Sequence, residues 1–380
     1  MRDRTPSSAP SLWSFRPRPH AEACPPMPNG GTVTTRRKAV RSPDNSMPDL
    51  LPMPAALSEP PDGLPFPPHA VVPIVTRDGY RLRAAVFRPA GDGMGKGTVL
   101  LLQGRAEFME KYREVFGELL ERGFTVVSFD WRGQGGSERL LRRGLAGHVE
   151  DFDDYQLDLE AVIGEMRARG LPEPWSMLAH STGGCIGLHH IARGASPFRR
   201  AVLTAPLIGI AGPGGGLAGQ LLSRVCSALG FATRRIPFGT DMPRTQGPFE
   251  DNPFTRDRAR YATMRGWLER HPHLGIGDPT IGWVAAAFHA LDRFEADDFG
   301  QRARTPVLML LAGADMVVKT AMAERLALRF RGATALVLPG ARHEILMETD
   351  ETRALFWAAF DAFVPGEEIR SDREETVEGA

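Results

Sequence analysis

Residues 175–184 read Trp-Ser-Met-Leu-Ala-His-Ser-Thr-Gly-Gly and decide the fold. The apolar first half predicts a buried strand, and the small residues after it predict a sharp turn into a helix. In the pattern G-x-S-x-G such a turn holds the serine Oγ clear of the backbone, and small neighbours leave room for a substrate. This chain has Ala179 at the first glycine position, and we expect its methyl group to fit. The stretch predicts a nucleophile at Ser181; an ordinary glycine-rich turn is the alternative.

Strands and helices alternate on both sides of this stretch. A hairpin is predicted over 72–87, and apolar residues at helical spacing separate the later strands. This order predicts an α/β fold, with a mostly parallel sheet covered by helices on both faces. The further predicted strands are 98–102, 124–129, 200–204, 306–311 and 334–338.

The composition divides the chain into four parts. Half of the 32 prolines lie in residues 1–68, which are also rich in arginine, so we expect a disordered extension there. The α/β core is predicted over 69–206 and 299–365. Between them, 207–298 has helical pieces and no clear strand, which predicts a helical cap insertion. Residues 366–380 are acidic and are expected to form a disordered tail.

Two further residues complete a candidate catalytic triad. Asp315 and His343 each follow a predicted strand, and the chain order serine, acid, histidine is typical of a nucleophile at such a turn. Ligands in open parallel sheets bind at the carboxyl ends of the strands, so the three side chains are expected to meet. His343 would accept the Ser181 proton, and Asp315 would orient the imidazole ring.

Other histidines and acids compete for these roles. His180 adjoins the serine, but we expect its side chain to point away along the turn. His189 and His190 lie on the following helix, away from the serine. Asp130 precedes the serine strand and suits a turn, whereas Asp350 suits the first turn of the last helix.

An oxyanion hole is also required, because negative charge develops on the carbonyl oxygen of an attacked ester. Two backbone N–H groups are the expected donors. One is that of Thr182, directly after the nucleophile, and the other is that of Arg105, in the loop after strand 98–102. Gly104 permits the tight turn of that loop.

Charge and cysteine content exclude several other functions. The chain has 46 basic and 46 acidic residues, which argues against a nucleic-acid-binding protein. Three cysteines argue against a disulfide scaffold and are typical of a reducing cytoplasm. No spacing of histidine and cysteine predicts a metal site, and no cofactor is expected. The sequence contains no uninterrupted run of about 18 apolar residues, so no membrane-spanning helix is expected.

The insertion contains one strongly apolar helix face. Its members are Leu217, Leu221, Leu222, Val225 and Leu229. They predict either a helix packed on its neighbours or a surface for an acyl chain or a membrane. Trp283, later in the insertion, is expected in the pocket or in the core of the cap.

Seven stretches together carry a resemblance to a family. They are Gly104–Tyr112, Asp130–Ser137, Gly147–Val149, Ala179–Gly184, Leu203–Pro206, Pro279–Trp283 and His343–Leu346. With these stretches the chain resembles bacterial lysophospholipases of the monoglyceride-lipase-like group of α/β-hydrolases over about residues 70–365. Monoglyceride lipases have His-Gly-x-x-Glu-His at the oxyanion loop, and Gln103 and Phe108 replace its two histidines here, which weakens the expectation of strict monoglyceride specificity.

The resemblance implies a cap over the site and hydrolysis of the single ester of a lysophospholipid or monoacylglycerol. It also implies a cytoplasmic location, with peripheral contact with the inner membrane. Two alternatives use the same fold: acyl transfer or peptide hydrolysis by the same triad, and a lipid-binding protein without catalysis.

Overall fold

The computed structural model describes residues 54, 56–90, 95–141 and 144–366. Ten strands and eight α-helices lie within them. The strands are β1 (His69–Val75), β2 (Arg81–Phe87), β3 (Thr98–Leu102), β4 (Thr125–Phe129), β5 (Ala146–Gly147), β6 (Trp175–His180), β7 (Arg200–Thr204), β8 (Gly277–Pro279), β9 (Val307–Ala312) and β10 (Ala333–Leu338). The helices are α1 (Arg113–Glu121), α2 (Asp153–Ala168), α3 (Thr182–Ala192), α4 (Leu217–Cys226), α5 (Arg258–Arg270), α6 (Ile281–Arg293), α7 (Thr320–Arg329) and α8 (Asp350–Phe363).

Eight strands form one sheet in the order β1-β2-β4-β3-β6-β7-β9-β10. The pairs β1/β2 and β2/β4 are antiparallel, and all the other pairs of this sheet are parallel. Helices connect the parallel strands and flank the sheet. The predicted mostly parallel α/β fold is therefore confirmed, and so is the hairpin, which consists of β1 and β2.

The central strands are buried along their whole length. Every residue of β3, β4, β6 and β9 is buried, which explains why these segments are continuous apolar runs rather than alternating ones. The parallel arrangement brings the carboxyl ends of β3, β6, β9 and β10 to one edge of the sheet. The loops that follow these four strands carry the predicted site residues.

Residues 207–298 hold helices α4, α5 and α6, and also one short strand that the sequence did not indicate. β8 pairs in parallel with β5 to form a separate two-stranded sheet. The expectation of no strand in this segment was therefore wrong. A three-residue strand gives no periodic signal, and its partner lies more than a hundred residues earlier in the chain.

The expected N-terminal disorder is wrong for residues 56–68. Leu57 is buried, the Ser58 N–H donates to Glu110 Oε1 at 3.0 Å, and Phe66 packs against Trp267 with ring centroids 5.9 Å apart. Phe66 and Leu57 supply apolar contacts that the proline-rich composition obscured. The rest of the predicted extension, except residue 54, lies outside the described residues, as do residues 367–380 of the predicted tail.

Candidate active site

Ser181 occupies a strained turn between β6 and α3. Its backbone has φ 51° and ψ −115°, a left-handed conformation that costs a residue with a side chain about 1–3 kcal/mol. Surrounding hydrogen bonds hold the turn. The Ser181 N–H donates to the Thr204 carbonyl at 3.0 Å, and its carbonyl accepts from the N–H groups of Leu207 at 2.9 Å and Cys185 at 3.1 Å.

Two glycines after the serine allow α3 to begin close to the sheet. A Cβ at Gly183 would lie 2.5 Å from the Gln103 carbonyl oxygen and 2.6 Å from that of Leu102. A Cβ at Gly184 would lie 2.8 Å from Cβ of Pro206. The two glycines are therefore required by the close approach of the helix to β3 and to the loop after β7.

The structure brings Ser181, His343 and Asp315 together. His343 Nε2 lies 2.9 Å from Ser181 Oγ, and His343 Nδ1 lies 2.8 Å from Asp315 Oδ2. When the imidazole proton is on Nδ1, the Nδ1–H group donates a hydrogen bond to the Asp315 carboxylate. Nε2 is then free to accept the serine proton. This arrangement is able to activate a serine hydroxyl for attack on a carbonyl carbon.

Asp315 is held as a carboxylate by its neighbours. Its Oδ1 accepts hydrogen bonds from the N–H groups of Val317 at 2.8 Å and Val318 at 2.9 Å. Burial by itself raises the pKa of Asp315, but the bond with His343 and the two backbone donors outweigh burial, so the pKa falls below its usual value. Asp315 therefore stays negative beside the imidazole ring.

His180 lies closer to the site than the sequence suggested. Its ring centroid is 4.8 Å from that of His343, and its Nδ1 lies 3.1 Å from both the carbonyl oxygen and Oγ1 of Thr204. Burial lowers the pKa of His180 to about 4, so this ring is neutral near neutral pH. The contacts with Thr204 direct its Nδ1 toward β7 rather than toward Ser181.

The two predicted oxyanion donors line the same cavity as Ser181. Arg105 lies in the loop after β3, and Thr182 begins α3 directly after Ser181. Among the described residues, no hydrogen-bond acceptor takes up the backbone N–H of either residue. Both N–H groups are therefore available to a ligand.

A buried charged cluster supports the loop after β3. Glu107 Oε2 accepts from the backbone N–H of Gly104 and from the Tyr112 hydroxyl at 2.6 Å. Its Oε1 accepts from Lys111 Nζ at 2.5 Å, and Lys111 Nζ also lies 2.7 Å from Glu344 Oε1. The cluster joins the loop after β3 to Glu344, the residue that follows His343.

The charges of this cluster are set by burial and by one another. Burial raises the pKa of Glu107, but the ammonium group of Lys111, together with His180 and the Tyr112 hydroxyl, outweighs burial and brings the pKa to about 2. Burial lowers the pKa of Lys111, yet Glu107 and Glu344 raise it above its usual value. For Glu344, burial dominates and raises the pKa. These residues stand in the stretches that carry the family resemblance, but no local pattern indicates that their side chains meet.

The site opens into a cavity of about 620 Å³. Ser181 and His343 lie in its wall, together with apolar side chains from the core and from residues 207–298. The apolar residues include Leu207, Leu222, Ile236, Phe254, Ile276 and Val284. Trp283 is buried, lines the cavity and donates from Nε1 to the Tyr155 hydroxyl at 3.1 Å, so it belongs to both pocket and core.

In the described part of the chain, neither a metal site nor a membrane-spanning helix is found. No group of three His, Cys, Asp or Glu side chains is placed to hold a metal ion. No described helix has both the length and the apolar character needed to cross a membrane.

Comparison with known proteins places the chain in a family. Residues 94–350 match the family described as serine aminopeptidase, S33. The chain is 34% identical over 271 residues to lysophospholipase L2 of Escherichia coli, an alignment that covers 68% of this chain and 77% of that protein. It is 30% identical over 257 residues to a probable lysophospholipase L2 of Haemophilus influenzae, covering 67% of this chain and 79% of that protein.

Solved structures share the fold. A soluble variant of monoglyceride lipase from Saccharomyces cerevisiae superposes with a TM-score of 0.61 at 20% identity, covering 77% of this chain and 96% of that one. The monoacylglycerol lipase of Paleococcus ferrophilus gives a TM-score of 0.57 at 21% identity, covering 75% and 98% of the two chains. The family match, the two lysophospholipase relatives and the sheet agree: the chain belongs to the serine aminopeptidase S33 family of α/β-hydrolases.

Proposed function

We propose that this protein is a serine hydrolase that cleaves the carboxylic ester of a single-chain lipid, a lysophospholipid or a monoacylglycerol. The observation that carries the proposal is the hydrogen-bond chain from Asp315 through His343 to Ser181, in the wall of a largely apolar cavity. Relatives named lysophospholipase and monoglyceride lipase support the lipid ester as substrate. No cofactor is needed for this reaction.

The reaction proceeds in two halves. Ser181 Oγ attacks the ester carbonyl carbon while His343 Nε2 takes the hydroxyl proton, and the N–H groups of Arg105 and Thr182 stabilise the oxyanion. His343 then gives this proton to the departing glycerol oxygen, which leaves an acyl group on Ser181. Water attacks the acyl-enzyme with His343 again as base, and the fatty acid is released. Asp315 stabilises the imidazolium in both halves.

We assign separate roles to the parts of the chain. Residues 69–206 and 299–365 supply the catalytic side chains, and 207–298 act as a cap that holds the acyl chain. Ile236, Ile276 and Val284 support this role, because all three belong to 207–298 and line the cavity that contains Ser181.

The first prediction concerns Ser181→Ala. The variant should lose fatty-acid release from lysophosphatidylcholine and monoacylglycerol by at least ~10³-fold, because no other group forms the acyl-enzyme. Turnover of both lipids, of a nitrophenyl ester and of an aminoacyl-arylamide is measured for the protein, with Ser196→Ala, between α3 and β7 and outside the cavity lining, as a matched control that keeps activity.

Retained ester turnover in Ser181→Ala would contradict the assignment. Faster cleavage of the arylamide than of any ester in the unmodified protein would point to a peptidase. Ester products formed with added glycerol instead of free fatty acid would point to an acyltransferase.

Glu107 is a positioning residue for the oxyanion loop. Its carboxylate takes the Gly104 N–H, which directly precedes the donor residue Arg105, and it balances the buried charge of Lys111. Gln134 supports the same loop, because its Nε2 donates to the Gly104 carbonyl at 2.8 Å. Without the carboxylate, Lys111 keeps one partner and the loop loses an anchor.

The second prediction concerns Glu107→Gln. We expect kcat for a nitrophenyl ester to fall by ~10-fold or more while KM changes little, because direct loss of an oxyanion donor costs ~10²–10³ in kcat. Glu165→Gln, on the exposed face of α2, is the control and should change neither constant. An unchanged kcat, or an equal rise in KM, would contradict a positioning role.

We also propose that the protein works in the cytoplasm and contacts the membrane surface through α4 and the turn after it. The face formed by Leu217, Leu221, Leu222, Val225 and Leu229 is exposed, so packing on neighbouring helices does not account for it. Cys185 and Cys226 are free thiols, which supports a reducing compartment. An exposed apolar face near the cavity would let a lipid leave the bilayer without crossing water.

The third prediction concerns the double variant Leu221→Gln/Leu229→Gln. Binding to phosphatidylglycerol vesicles should weaken by ~10-fold or more, because each leucine side chain that the membrane surface buries contributes about 1.5–3 kcal/mol to the free energy of binding. Turnover of a soluble short-chain ester should be kept. Leu328→Gln/Leu355→Gln removes two other exposed leucines as a control. Equal loss of vesicle binding in both double variants would contradict the proposal.

A further inference from the structure

The Arg105 side chain is an unneutralised cation in the wall of the cavity. Its Nη2 donates to the Gly277 carbonyl at 2.6 Å, and its Cζ lies 5.2 Å from the centroid of the Trp283 ring. Its Nε is buried and has no hydrogen-bond partner among the described residues, and none of their carboxylates lies within ion-pair distance of the guanidinium. Burial lowers the pKa of Arg105 to about 10, which leaves it charged at neutral pH.

The arginines that are almost fully buried in the described part of the chain, Arg83, Arg132 and Arg353, all form ion pairs with carboxylates. Arg83 forms ion pairs with Glu110 and Asp130. Arg139 has no such pair among the described residues, but its guanidinium donates to several backbone carbonyl oxygens. Arg105 is half-buried, has one carbonyl acceptor and no carboxylate partner, and its buried Nε is unsatisfied, so its charge and remaining donor need another explanation.

Neighbouring backbone is shaped around this guanidinium. A Cβ at Gly147 would lie 2.7 Å from Arg105 Nη2, so β5 has room for the side chain because this residue is glycine. The pairing of β5 with β8 places the Gly277 carbonyl at the hydrogen-bond position. The guanidinium is therefore held in a fixed place.

Two charged residues that act on Arg105, Asp278 and Arg244, pair with each other. Arg244 Nε lies 2.8 Å from Asp278 Oδ1, and Asp278 Oδ2 accepts from the Thr240 N–H at 3.1 Å. Both residues line the cavity together with Arg105. This part of the wall thus keeps one net positive charge, which favours an anionic ligand.

The position of Arg105 along the chain adds a geometric argument. Its backbone N–H is the proposed donor to the ester oxyanion, and its side chain extends from that point. The path from this nitrogen to the guanidinium carbon has as many covalent bonds as the path from the ester carbonyl carbon to the phosphorus of a lysophospholipid. One residue is therefore able to contact both groups of the same substrate.

We propose that the Arg105 guanidinium binds the phosphate of the substrate head group, so that the enzyme prefers a lysophospholipid to a monoacylglycerol with the same acyl chain. This inference rests on the proposed ester hydrolysis and narrows its substrate class. A planar guanidinium with a free N–H suits a phosphate oxygen, and the charge-assisted hydrogen bond is favourable in a partly desolvated wall.

The test compares kcat/KM for lysophosphatidylcholine and for monoacylglycerol of equal chain length. The lysophosphatidylcholine value divided by the monoacylglycerol value should fall by ~10- to 100-fold in Arg105→Gln, because a charge-assisted hydrogen bond to the phosphate is lost. In Arg105→Lys the ratio should recover in part, because lysine restores the positive charge. The control is Arg265→Gln, which removes an arginine of α5 that is paired with Glu269 on the surface. This variant should keep the ratio of the unmodified enzyme. Effects on the oxyanion loop are common to both substrates and cancel in the ratio.

A second measurement does not depend on how well a variant folds. Glycerol 3-phosphate should inhibit nitrophenyl ester hydrolysis competitively in the unmodified enzyme, whereas glycerol at the same concentration should not.

An equal loss of both lipid activities in Arg105→Gln, or no inhibition by glycerol 3-phosphate, would overturn the phosphate site and leave ester hydrolysis standing. No turnover of either lipid by the unmodified enzyme would instead overturn the proposed function.

Discussion

The hydrogen-bond chain from Asp315 through His343 to Ser181 depends on one constraint, the parallel ends of neighbouring strands. β6, β9 and β10 run in the same direction, so the loops after them meet at one edge although they lie far apart in the sequence. The strained backbone of Ser181 then lifts Oγ toward the imidazole ring. A strand in the opposite direction would carry its loop to the other edge and separate the three side chains.

Buried charge extends this constraint from the sheet edge to the oxyanion loop. Glu107 anchors the loop and pairs with Lys111, which reaches Glu344 beside His343. Under the same loop, Asp130 accepts from the Met109 N–H at 2.9 Å and pairs with Arg83. Removing one member of such a buried network leaves a charge or donor without its partner, so the network favours the conformation of the loop in which these contacts form.

Residues 207–298, the proposed cap, and the edge of the sheet that carries Ser181 line one cavity. Apolar side chains of 207–298 line this cavity, while the face of α4 that contains Leu221 and Leu229 is exposed. Arg105 is held between the core and this segment by the Gly277 carbonyl and the Trp283 ring. The cavity thus combines an apolar part with the cation that we propose as the phosphate site.

The sequence predicted the features that leave a local signal. Apolar runs showed the buried strands, and the small residues around Ser181 showed the turn, because each follows from burial or sterics within a few residues. The chain order of Asp315 and His343 predicted that they would meet Ser181. The fold and this meeting could therefore be reached without coordinates.

Features that depend on contacts between distant segments could not be predicted. The pair β5/β8 is too short to produce a period, and the packing of 56–68 depends on Trp267 and Glu110, far along the chain. The unpaired state of Arg105 likewise becomes visible only when its neighbours are known.

The proposed chemistry requires His343 to activate Ser181 as a nucleophile. This is measured as the rate at which a fluorophosphonate forms an adduct, followed by intact-protein mass spectrometry and peptide mapping. We expect one adduct, on Ser181, with a rate at least ~100-fold slower in His343→Ala, because the alcohol loses its general base. An adduct on another residue, or labelling of Ser181 at the same rate without His343, would contradict it.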